Sequence, residues 1–133
     1  MFKLIKIENG RMNVPEPVYH DVTDDEAVEY GEALVLASGK FTKCGATVKP
    51  THIAMGSVAA DATKRTLAAA RVEDNQLYEV PVTAAPTGLT AGSKVTLHTD
   101  GLQVTATTTS GVVTVESLNG ASAAGDIIVV RII

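Results

Sequence analysis

Apolar and polar residues alternate along most of this chain in short runs with a period of two, the signature of half-buried strands. "FKLIKI" (2–7) is the first such run, closed by the turn signal Glu8-Asn9-Gly10. "ALVLA" (33–37) follows, "GKF" turns the chain, and residues 42–47 are placed to pair back as a hairpin. "THIAMGS" (51–57) alternates with His52 facing opposite Ile53. "QLYEVPVT" (76–83) sets Leu77, Glu79, Pro81 and Thr83 on one side and Tyr78, Val80 and Val82 on the other. Its Pro81 predicts an edge or a bulge, because proline cannot donate to a ladder. "SKVTLHT" (93–99) places Val95 and Leu97 on one face. Asp100-Gly101 predicts a two-residue hairpin turn into "LQVTATT" (102–108), with Leu102, Val104 and Ala106 sharing a face. Ser110-Gly111 turns again into "VVTVES" (112–117), and a last strand covers 126–132. Strands and turns spaced about 8–12 residues apart predict an all-β fold, a small barrel or sandwich of mostly antiparallel short strands. No long amphipathic helix separates the strands, which excludes parallel βαβ units.

Three segments are less regular. In "RMNVPEPVYHDV" (11–22), Pro15 and Pro17 remove backbone donors and favour extended structure, so residues 8–22 read as an extended arm or edge segment. In "TDDEAVEYG" (23–31), Thr23 and Glu26 match a capping box and Gly31 a C-cap, which predicts a helix of barely two turns. The acids Asp21, Asp24, Asp25, Glu26, Glu29 and Glu32 crowd this region without the regular spacing and central glycine of a calcium loop, so they read as a solvated acidic loop. "ADATKRTLAAARV" (60–72) reads as a loop and then a strand through Ala68–Val72. The chain thus divides into an N-terminal strand with an acidic, proline-containing arm (1–29) and a compact β domain (30–133).

One local pattern recurs in "YGEALVL" (30–36), "AGSKVTL" (91–97) and "AGDIIVV" (124–130). Glycine and then a polar residue precede an apolar run. The glycine allows a tight turn or a positive φ at the strand start, and the polar side chain can bond a free backbone group there. The last of these runs continues to "GDIIVVRII" (125–133). Ile128, Val130 and Ile132 point one way; Ile127, Val129, Arg131 and Ile133 point the other. Both sets are apolar. This predicts a central strand that closes the barrel or sandwich, with its second face buried in the same chain or covered by another subunit. Arg131 marks the rim of that face or a neighbouring subunit.

Composition narrows the function. The net charge is −4, from 11 basic and 15 acidic residues, which argues against a nucleic-acid-coating surface. No apolar run is long enough for a membrane helix, and "MFKLIKIENG" lacks the apolar core and cleavage site of a signal peptide, so synthesis in the cytoplasm is expected. Aromatic residues make up 4% with no Trp, which does not suit a small-molecule pocket. Cys44 is the only cysteine and reads as a buried, inert thiol. The histidines His20, His52 and His98 have no metal-ligand spacing, and His52 with Cys44 eight residues away is a weak basis for a thiol enzyme. His98, beside Thr99 and Asp100, reads as a solvated turn residue. No nucleophile elbow, phosphate loop or dinucleotide fingerprint is present. The chain reads as non-enzymatic, with no catalytic, cofactor-binding or metal-binding residues.

The stretch "GEALVLASGKFTKCGATVKPTHIAMGS" (31–57), the hairpin "LTAGSKVTLHTDGLQVTATTTSGVVTV" (89–115) and the closing "AAGDIIVVRI" resemble tailed-phage and prophage capsid decoration (head cement) proteins. The resemblance covers most of residues 30–132. It implies a compact β domain, without catalytic residues, that binds and stabilises the outside of an icosahedral shell. It implies the major capsid protein shell as partner and self-association, with a homotrimer favoured. It implies a virion location after synthesis in the bacterial cytoplasm, with no nucleic acid and no membrane bound. Pro15, Pro17, Arg131 and Ile133 are the candidate subunit or capsid contacts. Two other classes fit the same features: a different phage head or tail component, and a small ligand-binding β-barrel module.

Overall fold

The structure is a computed structural model that describes residues 1–8 and 15–133. Its strands are β1 (Lys3–Ile7), β2 (Pro17–Val22), β3 (Ala33–Ala37), β4 (Lys40–Lys43), β5 (His52–Ala54), β6 (Thr66–Arg71), β7 (Gln76–Pro81), β8 (Lys94–Val95), β9 (Val113–Ser117) and β10 (Ile127–Arg131). Among the described residues there is no helix. The protein is all-β, as the alternation predicts.

The strands form two assemblies rather than one. Strands β2-β4-β3-β5-β6 close into a barrel, and β1-β7-β10-β9-β8 form a five-stranded sheet. Pairing is antiparallel throughout except between β2 and β4. The sheet curls towards closure. Val104 bridges Leu97, just beyond β8, on one side and Val82, just beyond β7, on the other. The last strand, β10, is central as expected, but in the sheet and not in the closed barrel.

Two cores follow. Inside the barrel, Val22, Val28, Leu34, Phe41, Ala54, Val58, Leu67 and Ala69 are buried together. The larger core joins the inner face of the sheet (Tyr78, Val80, Val115, Ile128, Val130) to Ala33, Cys44 and Ile53 from the barrel. Phe2 meets Tyr78 edge to face at 6.1 Å and seals the N-terminal end of this core. The barrel is thus filled from within and also packs one outer side on the sheet.

The recurring glycine-polar pattern is one turn built three times. Gly31, Gly92 and Gly125 have φ of +79°, +92° and +87°. In each turn the residue after the glycine donates its N–H to the carbonyl three residues back: Glu32 to Glu29 at 3.1 Å, Ser93 to Thr90 at 3.0 Å, Asp126 to Ala123 at 3.2 Å. Its side-chain oxygen accepts the N–H of that same earlier residue at 2.9, 3.0 and 2.9 Å respectively. A positive φ at the third position of such a turn favours glycine, which adopts it without a Cβ clash. Each glycine N–H then bonds a neighbouring strand's carbonyl or one just past its end: Ala54, Val115 and Val82. The turn sets where each following strand begins.

Four expectations need correction. Residues 17–22 are not an arm or edge: β2 pairs with β6 on one side and β4 on the other. Pro17 is tolerated because it is the first residue of the strand. Residues 23–31 form turns and not a short helix. Asp25 has φ +64°, which a helix cannot accommodate, and Glu26 turns outward to the Thr42 hydroxyl (2.7 Å) and the Lys43 N–H (3.1 Å) instead of back to Thr23. Asp100-Gly101 is not a two-residue hairpin turn. The His98 N–H bonds the Gln103 carbonyl across a longer loop, where Asp100 accepts from the Leu102 N–H and the Gln103 amide, both at 2.8 Å. Pro81 is not on an edge strand. β7 lies between β1 and β10, and Pro81 sits at its end, past the last β1 partner, Glu79.

Candidate functional site

The register of the sheet brings the outward residues of five separate segments onto one face. On β10 the inward set Ile128, Val130 and Ile132 is fully buried, while Ile127 and Ile133 remain 42% and 41% exposed. Ile127 lies opposite Pro81, and Val129 lies between Glu79 and Ser117. Lys6 lies opposite Leu77 and Lys3 opposite Glu79 on the β1 side. Arg131 and Lys94 both flank Thr114 on the other side. The face therefore has an apolar centre of Leu77, Pro81, Ile127 and Val129 with cations spread across it. Burial of one apolar side chain contributes about 1.5–3 kcal/mol, so leaving several half-covered is unfavourable for a lone chain.

Arg131 is largely consumed within its own chain. Its Nε donates to Glu116 at 2.8 Å, one terminal nitrogen pairs with Glu8 at 2.9 Å, and the other donates to the Asp74 carbonyl at 2.6 Å. The bond to Glu116, and then that to Glu8, raise the affinity of the guanidinium for its proton, against an opposing effect of burial. The side chain is 13% exposed. It ties β10 to β9, to the residue after β1 and to the β6–β7 turn, and leaves little free to meet a neighbour.

The other candidate contacts lie elsewhere. Pro17 is exposed at the start of β2 and pairs with Ala70. Pro15 lines a groove of about 380 Å³ between β1 and the barrel, together with Met1, Leu4, Tyr30, Met55 and Ala70. Ile133 follows β10. The structure thus places Arg131 and Ile133 with the sheet and Pro15 and Pro17 with the barrel.

The thiol and two of the histidines, His20 and His52, are held in packing roles. The Cys44 thiol donates to the Val48 carbonyl at 3.0 Å, and burial pushes its pKa up to about 11, away from a reactive thiolate. His52 stacks edge to face on Phe41, with His20 on the same ring. Burial, then the charge of Arg71 and then His20, lower the His52 pKa and keep the imidazole neutral. His98 is half exposed and its Nδ1 lies 3.1 Å from Asp100. Among the described residues no three His, Cys, Asp or Glu side chains converge as a metal site would require. In the acidic loop, Asp24 pairs with Lys40 at 2.8 Å and Glu26 binds Thr42.

Sequence reasoning missed Leu77, Val129, Lys6 and Lys94 as members of one surface. Their outward parity was readable, but which strands lie side by side was not. It also missed Arg65, whose guanidinium donates to the carbonyls of Ala59, Ala60, Thr23 and Glu26 and pins two loops at one end of the barrel. No protein-family model and no curated protein sequence matches the chain.

Proposed function

We propose that the protein is a non-enzymatic structural component of a phage virion, a decoration protein that binds the outer surface of an icosahedral capsid and stabilises it. The observation that carries this reading is the outer face of the β7–β10 sheet, with an apolar centre left partly exposed on a small fold that otherwise buries two cores. A surface of this kind suits a broad protein partner better than a small ligand. The resemblance of residues 31–57, 89–115 and 123–132 to the decoration family supports the same reading and favours a homotrimer on the shell. The lack of an activated nucleophile at Cys44 fits a structural role.

The test is co-sedimentation of the purified protein with empty expanded shells assembled from the major capsid protein encoded in the same phage or prophage region. Saturable binding to shells but not to free capsid subunits, with shells that survive higher temperature, is expected. A protein that stays in the supernatant with intact shells refutes the reading. The groove beside Tyr30 and Met55 favours a ligand-binding β module instead. A glycan or fragment hit displaced by Met55→Lys, combined with no shell binding, would establish that alternative.

A further inference from the structure

The two most conspicuous exposed surfaces are opposite in charge and both partly apolar. On the sheet face, the four cations Lys3, Lys6, Lys94 and Arg131 outnumber the three carboxylates Glu8, Glu79 and Glu116, although the whole chain is acidic. Lys6 and Lys94 are exposed and have no ion-pair partner among the described residues. At the barrel, the acidic stretch 21–29 is bracketed by Tyr19 and Tyr30, which are 62% and 55% exposed. Asp24 and Glu26 are engaged within the chain, while Asp25 and Glu29 are exposed and form no ion pair among the described residues, the Met1 ammonium acting on Glu29 only from longer range.

We propose that the sheet face docks on the tyrosine-bracketed acidic stretch of a second copy of this chain. Lys6 and Lys94 would meet Asp25 and Glu29, and the half-exposed Ile127, Val129 and Pro81 would pack on Tyr19 or Tyr30. Tyrosines and basic side chains pair well at interfaces because the ring offers apolar area and a negative face to the cation. Two like-charged faces brought together about a two-fold axis would instead repel. The contact is therefore head to tail, the kind that closes into a ring when the rotation permits. It deepens the proposed decoration role by naming the surfaces through which copies meet, and rests on that reading only for the expectation of self-association.

The experiment is mass by light scattering after size exclusion, with circular dichroism confirming that each variant is folded. The parent chain should be a defined oligomer that weakens as salt is raised. Lys6→Glu with Lys94→Glu should lose the oligomer. Asp25→Asn with Glu29→Lys should lose it too, since asparagine keeps the left-handed turn at position 25. A chain carrying all four changes should regain it. Dissociation by the lysine pair alone, without rescue in the four-change chain, would mean the face meets itself or another surface and overturns the proposal. So would an oligomer that neither pair disturbs, or a monomeric parent. A monomeric parent that still binds shells would overturn this contact and leave the decoration reading intact.

Discussion

Ile127 and Ile128 are adjacent, identical in chemistry and opposite in fate, so truncating each to alanine tests the register of the central strand. Ile128 is fully buried in the larger core opposite Val80, whereas Ile127 is 42% exposed on the outer face. Ile→Ala removes three carbons, about 2.4 kcal/mol of transfer free energy at roughly 0.8 kcal/mol each. A cavity among the packed neighbours of Ile128 adds to that, so Ile128→Ala should cost about 3–4 kcal/mol. Ile127→Ala leaves no closed cavity and should cost about 1 kcal/mol or less. With unfolding entropy of roughly 2.1 cal/mol/K per residue, a chain of this length loses about 10 °C in Tm for 3 kcal/mol. That is a large part of the roughly 5–15 kcal/mol available to a typical domain. The assay is urea unfolding followed by far-UV circular dichroism, since the chain has no Trp to report by fluorescence. Low protein concentration keeps association from adding to the apparent stability of either variant. Equal losses, or a larger loss at Ile127, would refute the assignment of inward and outward faces on β10, and with it the apolar outer face.

Two further outcomes follow from buried groups. Glu32 is 2% exposed, and burial raises its pKa above the ordinary carboxylate value despite the Glu29 N–H bond and the Lys43 charge, with Glu29 and Glu26 adding to the rise. A raised folded-state pKa gives stability that is present below the unfolded value and lost as pH rises through the folded value. Glu32→Gln should therefore gain stability relative to the parent as pH is taken from about 4 to neutrality; urea midpoints whose difference stays constant with pH would contradict this. At Gly111, a Cβ would lie 2.4 Å from the Lys94 carbonyl carbon and 2.5 Å from its oxygen, so Gly111→Ala must push β8 and β9 apart. It should cost about 2 kcal/mol or more, against about 0.5 kcal/mol or less for Gly56→Ala, where the backbone is not left-handed and a Cβ would meet only the Leu67 Cδ1 at 3.5 Å, and thermal unfolding of the two separates these outcomes.

Much of the fold was legible because its causes are local. Strand positions follow from alternation at 76–83, 112–117 and 126–132, and the three glycine-led turns carry their glycine, their capping side chain and the strand start within a few residues. The helix predicted at 23–31 failed for the converse reason. Its capping pattern was local, but Glu26 found partners 16 and 17 residues away at Thr42 and Lys43, and Asp25 took a left-handed conformation. The site was less legible than the fold. The outward parity of Ile127, Val129 and Arg131 was readable, but the partners of Arg131 lie 15, 57 and 123 residues away in the chain.

The sequence by itself determined that this is a β protein, where most strands begin, and that its last strand has two apolar faces. Period-two alternation and glycine turns act over a few residues, so they survive without knowledge of the partner strands. Only the tertiary structure decided that the strands divide between a closed barrel and a curled sheet, and that the proline-containing stretch 17–22 belongs in the barrel. It also decided that four basic side chains from three strands share one surface. Those outcomes depend on which strands lie side by side, a choice set by long-range packing of two cores that no local pattern records.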